Sequence, residues 1–401
     1  MMRCFIPDVV GRDAEVRYYE SCYSNHKQAQ SFLMNKLILG NLVHRPLRSL
    51  ISAFAVAIEV IMILSVVAIF YGILNGSRQQ TTGSGMDMVA HPGAASALMN
   101  VSSASADVRI ADVLRKVPHV QVVSPINIKL TTGAALENIF GIDYQSYNAL
   151  LPFSFVSGGP FKGAYDLIVD DLQARAGKGL NVGDSVKVLN HTFTVCGIVK
   201  HGKGARKYIP LTTMDALDNN SGKASVFYLR TENPPEYQED VRNGILATDG
   251  LQDWTVQTSQ ELLSMLTPEH LPGFNIALNV VIGIATIIGF LVIFQSMYTA
   301  VLERTREIGI LKSMGAGRLV IVSVVLRETM LLALVGTTLG VAATYVLRAA
   351  LRSRFPTLSF QITGIWVVNA VAIALGGALL GALYPALKAA RKDPIDALSY
   401  E

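Results

Sequence analysis

Four long apolar runs divide the chain. They cover residues 50–75, 274–302, 319–347 and 365–387, and each exceeds the roughly 20 residues that an α-helix needs to cross a bilayer. The block between the first two runs, 76–273, is too polar to span. Its apolar positions alternate over short stretches, as in strands, or recur every three to four residues, as in helices.

Within this block, 86–90 reads as a strand, 107–116 as a helix, and 120–125 and 126–131 as two short strands parted at Pro125. A strand at 167–171 leads into a helix over 171–177. Asn181-Val182-Gly183-Asp184 reads as a turn, and 185–189 with 192–199 as a hairpin about Asn190-His191. Residues 208–211 and 225–229 add strands. Thr258 followed three residues later by Glu261 has capping-box spacing and predicts a helix over 258–265.

Charge near the span ends sets the orientation. Lys36, Arg45, Arg48, Arg304, Arg306, Lys312, Arg318, Lys388, Arg391 and Lys392 fall on one side, and Arg348, Arg352 and Arg354 on the other. The first side is read as cytoplasmic, with both termini. The fold class is therefore an α-helical membrane protein with four transmembrane helices and a large α+β extracytoplasmic domain inserted between the first and second. Residues 348–364 form an extracytoplasmic loop, and 388–401 a cytoplasmic tail. At the front, 1–33 lacks the order of a signal peptide. Met34 opens an amphipathic stretch, so 34–49 reads as an interfacial helix and 1–33 as a tail or a misassigned start.

Composition narrows the function. Of 401 residues, 51% are hydrophobic and only 16% charged, against about 25% charged in soluble domains. The net charge of +4 is spread out, so no nucleic-acid footprint is expected. Cys4, Cys22 and Cys196 lack metal-ligand spacing, and Cys196 reads as a small buried apolar residue. His91, His119, His191, His201 and His270 are scattered singly, and there is no G-x-S-x-G, H-E-x-x-H or G-x-x-x-x-G-K-[ST] motif. The chain is therefore expected to be no enzyme and to bind no metal or cofactor itself. The basic run 200–207 reads either as a site for an anionic lipid headgroup or a partner or, being glycine-spaced, as a solvent-facing loop.

Inside the spans, Glu59, Arg327 and Glu328 are the ionisable exceptions. Glu59 is expected to face protein, either as a protonatable or partner-facing carboxylate or hydrogen-bonded to a neighbouring helix. Arg327 and Glu328, adjacent on a helix, are expected to meet different partners, with Glu328 an interhelical or headgroup contact. Gly283, Gly289, Gly376, Gly377 and Gly381 mark expected close approaches between helices.

The short charged stretch 303–318, ERTREIGILKSMGAGR, joins the second and third runs. As a helix it lets Glu303 face Arg306 and Arg304 face Glu307 at i,i+3. Ile308, Leu311 and Met314 make an apolar stripe, and Gly315 and Gly317 stop the helix. Pattern alone allows either a handle for a partner or a basic loop that fixes topology. The stretch resembles the cytoplasmic coupling segment of the FtsX/MacB/LolC-like ABC transporter permease family. The chain end, 384–398, YPALKAARKDPIDAL, resembles that family's ending, and the Gly183-Asp184 turn an element of MacB-like periplasmic domains.

The resemblance implies a permease subunit in a bacterial inner membrane, with ATP and Mg held by a separate ABC ATP-binding subunit. Glu303, Arg304, Arg306, Glu307, Ile308, Gly309, Leu311, Lys312 and Gly315 would couple to that subunit. Arg304, Glu307 and Lys312 would be its main polar contacts, and Ile308 and Leu311 its apolar ones. It further implies a homodimer or heterodimer, a periplasmic adaptor, and export or extraction of a lipophilic or peptide cargo by mechanotransmission. The alternative is an FtsX-like regulator that activates a cell-wall hydrolase without transport.

Overall fold

The computed structural model describes residues 46–93, 95–96, 101–102, 104–132, 136–177, 179–217, 222–267, 270 and 273–392. The tail expected over 1–33, most of the interfacial helix expected over 34–49, and the C-terminal tail from 393 lie outside them.

The chain divides into two compact units. One holds the described residues up to Ser65, Val280–Tyr345 and those from Thr363 on; the other holds Val66–Asn279 and Val346–Ile362. Helix α1, Pro46–Gly83, is unbroken. At 1.5 Å per residue it is about 57 Å long, well beyond the roughly 30 Å of hydrocarbon in a bilayer. Its last turns are polar and end in Gly83 and in Gly85, whose φ of 76° suits glycine.

The α+β unit continues with β1 (Met88–Pro92), α2 (Ile110–Leu114), β2 (Val120–Thr132), β3 (Leu136–Ile142), α3 (Tyr144–Leu150) and β4 (Phe155–Gly158). Then come β5 (Asp166–Asp170), α4 (Asp171–Arg175), β6 (Ser185–Val188), β7 (His191–Val199), β8 (Lys207–Pro210) and α5 (Leu211–Leu217). It closes with β9 (Val226–Thr231), α6 (Gln238–Leu246), β10 (Trp254–Thr258) and α7 (Ser259–Met265). These strands form one sheet in the order β10-β1-β9-β2-β3-β8-β5-β7-β4, with β6 paired on β7, and two further two-stranded sheets are separate from it. Among the described residues, only β3–β8 and β5–β7 pair in parallel.

Both faces of the sheet are covered, which is why β9 reads VFYL rather than as an alternation. Phe227 and Leu229 pack with Met88, Leu114, Val241 and Ile245 on one face. Val226 and Tyr228 pack with Val89, Ile126, Phe140 and Tyr147 on the other. Each such side chain contributes about 1.5–3 kcal/mol by leaving water.

Four local expectations change. The helix expected over 107–116 shortens to α2, because the Asp107 carboxylate accepts the Arg109 N–H at 2.8 Å and holds the chain in a turn. The two strands expected at 120–131 are one, β2. Pairing with β3 begins only at Ile126, whose carbonyl accepts the Ser225 N–H on the β9 side. The preceding Pro125 thus turns its missing N–H towards the side not yet paired. The β6–β7 hairpin turns at Leu189 and Asn190, φ 47° and 65°, one residue earlier than expected. The capping box at Thr258 and Glu261 is present.

The fourth change concerns the basic run 200–207. Gly202 and Gly204, at φ 100° and 72°, fold it inward. The Gly204 N–H donates to the Gln80 carbonyl of α1 at 2.9 Å. Lys203 is only 7% exposed. Its ammonium donates to the Leu151 carbonyl and lies 3.9 Å from the Phe153 ring centre and 5.1 Å from that of Tyr147. Burial pushes Lys203 down to about 7. Cys196, half-buried behind Leu167, is pushed up to about 12, again mainly by burial.

The helical unit is completed by α8 (Phe274–Glu303), α9 (Thr305–Ser313), α10 (Arg318–Arg354) and α11 (Gly364–Arg391). Among the described residues, α1, α8, α10 and α11 are long and apolar enough to cross a membrane. Gly336 and Gly340 of α10 seat that helix on α1, where an added Cβ would lie 2.6 Å from the Ala53 carbonyl or 2.8 Å from that of Ala57. Spaced four apart, the two form a G-x-x-x-G contact. Gly381 meets the Phe290 carbonyl of α8 in the same way, at 2.8 Å. Gly283 and Gly376 face open space, so they do not mark close packing within this chain.

Candidate functional site

The helix is interrupted where α8 ends. Arg304, φ −105° and ψ 19°, is a non-helical corner rather than part of one continuous helix. The Thr305 hydroxyl donates back to the Val301 and Leu302 carbonyls and steadies the corner. Helix α9 then runs for nine residues. It ends because Gly315, at φ 94°, adopts the left-handed conformation. The Gly315 N–H donates to the Lys312 carbonyl and the Ala316 N–H to that of Leu311, a Schellman motif. Gly317, two residues on, starts α10: its carbonyl accepts the Val320 and Ile321 N–H groups.

Three contacts tie α9 and its corner to neighbouring helices. Ile308 packs against Val301 of α8, Ile321 of α10 and Ala389 and Ala390 of α11. Arg304 Nη1 donates to both carboxylate oxygens of Glu328 on α10, at 3.1 and 3.0 Å. These side chains are 12% and 7% exposed. Lys312 Nζ donates to the Ala390 carbonyl at 3.0 Å and also to that of Lys392. It thereby occupies carbonyls that a helix end leaves without partners. Lys388 of α11 reaches the Tyr298 hydroxyl of α8 at 2.8 Å.

The inward face of α9 differs from the stripe read from sequence. Ile308 is committed to the inner cluster, Gly309 is buried and Leu311 is half-buried. The outward face instead carries Arg306, Glu307, Ile310 at 44% exposure and Met314 at 72%, with Glu303 exposed at the end of α8. Of the residues expected to couple to a partner, Glu303, Arg306, Glu307 and Gly315 are exposed, whereas Arg304 and Lys312 point into the chain. Ile310 was missed. Its signal was the i,i+4 spacing Arg306–Ile310–Met314. The joining of α9 to the end of α11 through Lys312 had no signal short of the fold.

Deeper in the bundle, Glu59 of α1 is 4% exposed. Its carboxylate lies against Gly289 of α8, where a Cβ would stand 1.9 Å from Oε2, and near Gly377 of α11, at 3.9 Å from Oε1. Oε1 has no hydrogen-bond partner among the described residues. Arg327, next to Glu328, is exposed. No group of three or more His, Cys, Asp or Glu among the described residues is arranged to hold a metal ion.

Residues 279–394 match the FtsX-like permease C-terminal family, and 49–245 the MacB-like periplasmic core domain. The lipoprotein-releasing system transmembrane protein LolC of Haemophilus influenzae is 24% identical over 331 residues, 72% of this chain and 80% of that one. The macrolide export ATP-binding/permease protein MacB of Hyphomonas neptunium is 27% identical over 246 residues, 58% of this chain but 37% of its own length. The uncharacterized ABC transporter permease YknZ of Bacillus subtilis is 38% identical over 122 residues, 30% of each chain. The chain thus spans much of its LolC relative and only about a third of the other two.

Proposed function

Because the chain belongs to the FtsX/MacB/LolC-like family of ABC transporter permeases, we propose that it takes up the ATP-driven motion of a separate ATP-binding subunit at α9. It passes that motion to the extracytoplasmic domain instead of threading cargo between its helices. The cargo class is lipophilic or peptidic. The membrane is a bacterial inner membrane, with both termini cytoplasmic, as the arginine and lysine balance across the spans favours. The working unit is a homodimer or heterodimer on two ATP-binding subunits that hold ATP and Mg, with a periplasmic adaptor as a further partner.

One observation carries this reading. Helix α9 is fastened along one side to α8, α10 and α11, while its other side presents Ile310 and Met314 between Arg306 and Glu307. A short helix so held moves with the bundle when a partner pushes on its open side. An apolar pair rimmed by charges suits a regulated protein contact. The unbroken α1, which contributes residues to both units, supports transmission along the chain.

The test is co-purification of the detergent-solubilised chain with a candidate ATP-binding subunit. Wild type is compared with a variant carrying Arg306→Glu and Met314→Glu, both on the open side. Wild type retains the subunit and the variant loses it. If neither form retains an ATP-binding subunit, the coupling role of α9 is wrong.

A further inference from the structure

The outer end of α10 carries charge that neither the fold nor the coupling role uses. Arg348, Arg352 and Arg354 fall within seven residues on the side assigned as extracytoplasmic, where basic residues are disfavoured next to spans. Among the described residues, none of the three makes an ion pair or a side-chain hydrogen bond, and Arg348 Nε is buried without a partner. The favourable dipole of a helix C-terminus reaches only its last turn. It accounts for Arg352 and Arg354 but not for Arg348.

The level of these arginines is informative. Between Glu328 and Arg348 the chain carries no charge, and those nineteen helical residues rise about 29 Å, close to one hydrocarbon thickness. A bilayer matched to that stretch places Arg348 at the headgroup phosphates and Arg352 one turn beyond. The two lie four residues apart and share a face. Phe355, three residues after Arg352 and exposed, is the kind of aromatic side chain found at that depth. A guanidinium presents paired N–H donors that match phosphate oxygens.

We propose that Arg348 and Arg352 bind the phosphate of an anionic phospholipid in the extracytoplasmic leaflet. This rests on the orientation given under the proposed function, and on nothing about the ATP-binding partner. The lipid supplies the counter-charge that the described residues lack, and it anchors the outer end of α10, next to the loop that leads into α11.

The test uses the full chain in nanodiscs of phosphatidylcholine with 30% phosphatidylglycerol, with retained lipids counted by native mass spectrometry. Each basic residue near an anionic surface is worth about fivefold in affinity. The Arg348→Gln/Arg352→Gln variant therefore retains phosphatidylglycerol about 25-fold more weakly, and Arg348→Lys/Arg352→Lys recovers part of it. Equal retention by wild type and the Gln variant would overturn the proposal, as would loss of the lipid on adding millimolar inorganic phosphate. In spheroplasts, a Ser353→Cys variant with Cys4, Cys22 and Cys196 replaced by Ser and labelled by a membrane-impermeant maleimide from the outer side keeps the leaflet. Labelling only from the cytoplasmic side overturns it, and does so whether or not an ATP-binding subunit co-purifies.

Discussion

Replacing Glu328 with Leu tests whether Arg304 is a brace of the corner or a contact for a partner. In the intact chain one guanidinium nitrogen serves both oxygens of a carboxylate, with 12% and 7% of the two side chains exposed. Removing one member of a buried pair leaves the other charge uncompensated, at about 3–5 kcal/mol. Replacing both with apolar groups of similar volume is near neutral. The double variant Arg304→Met/Glu328→Leu should therefore be more stable than Glu328→Leu alone, with a coupling energy of about 3 kcal/mol. Amide hydrogen exchange across 305–313, measured on the full chain in detergent, reads this locally. Protection should fall by about a hundredfold in Glu328→Leu and return most of the way in the double variant. Additive losses would refute the pairing argument. Unchanged protection in Glu328→Leu, together with loss of the ATP-binding subunit, would make Arg304 a partner contact after all.

Two further outcomes follow from packing and burial. Gly340→Leu drives a side chain into the α1 backbone and should lower the thermal midpoint of the detergent-solubilised protein sharply. Gly283→Ala, facing open space, should leave it within a degree or two or raise it; equal effects would refute the α1–α10 seating. Lys203 titrates at about 7 when folded and at its ordinary 10.5 when unfolded. Between those values the unfolded chain holds a proton that the folded chain does not, so stability rises with pH across that window, by no more than about 5 kcal/mol. Below pH 7 the penalty of the buried charge is fully present. The urea midpoint followed through Trp254 in a Trp366→Phe background should climb from pH 7 to 9.5 in the parent and stay flat in Lys203→Met; a flat parent curve would refute the burial argument.

Local chemistry made much of this fold readable. Apolar runs of bilayer length identified the four long helices, because crossing a membrane demands composition more than context. Thr258 and Glu261 announced a helix start through groups three residues apart, and the strand and helix around Asp170 and Asp171 read correctly for the same reason. What escaped depended on distant partners. Lys203 looked solvated until Phe153 and Tyr147, about fifty residues away, closed around it. The Gly336–Gly340 spacing was present in the sequence, yet only Ala53 and Ala57 opposite it give it meaning. In the candidate site, the segment was legible but its outward face was not. Which side of α9 faces inward was decided by Glu328, Ala389, Ala390 and Lys392, all distant in the sequence.

The hydrogen bonds from Lys312 to the end of α11 bear on how this protein can be re-engineered. Helix α9 and the end of α11 form one module in space although about eighty positions separate Lys312 from Lys392 in the sequence. A chimaera that imports 303–318 from a relative to redirect partner choice, while keeping the native terminus, mismatches the carbonyls that Lys312 occupies and the Ala389–Ala390 surface beneath Ile308. Swaps intended to exchange specificity should move both pieces together.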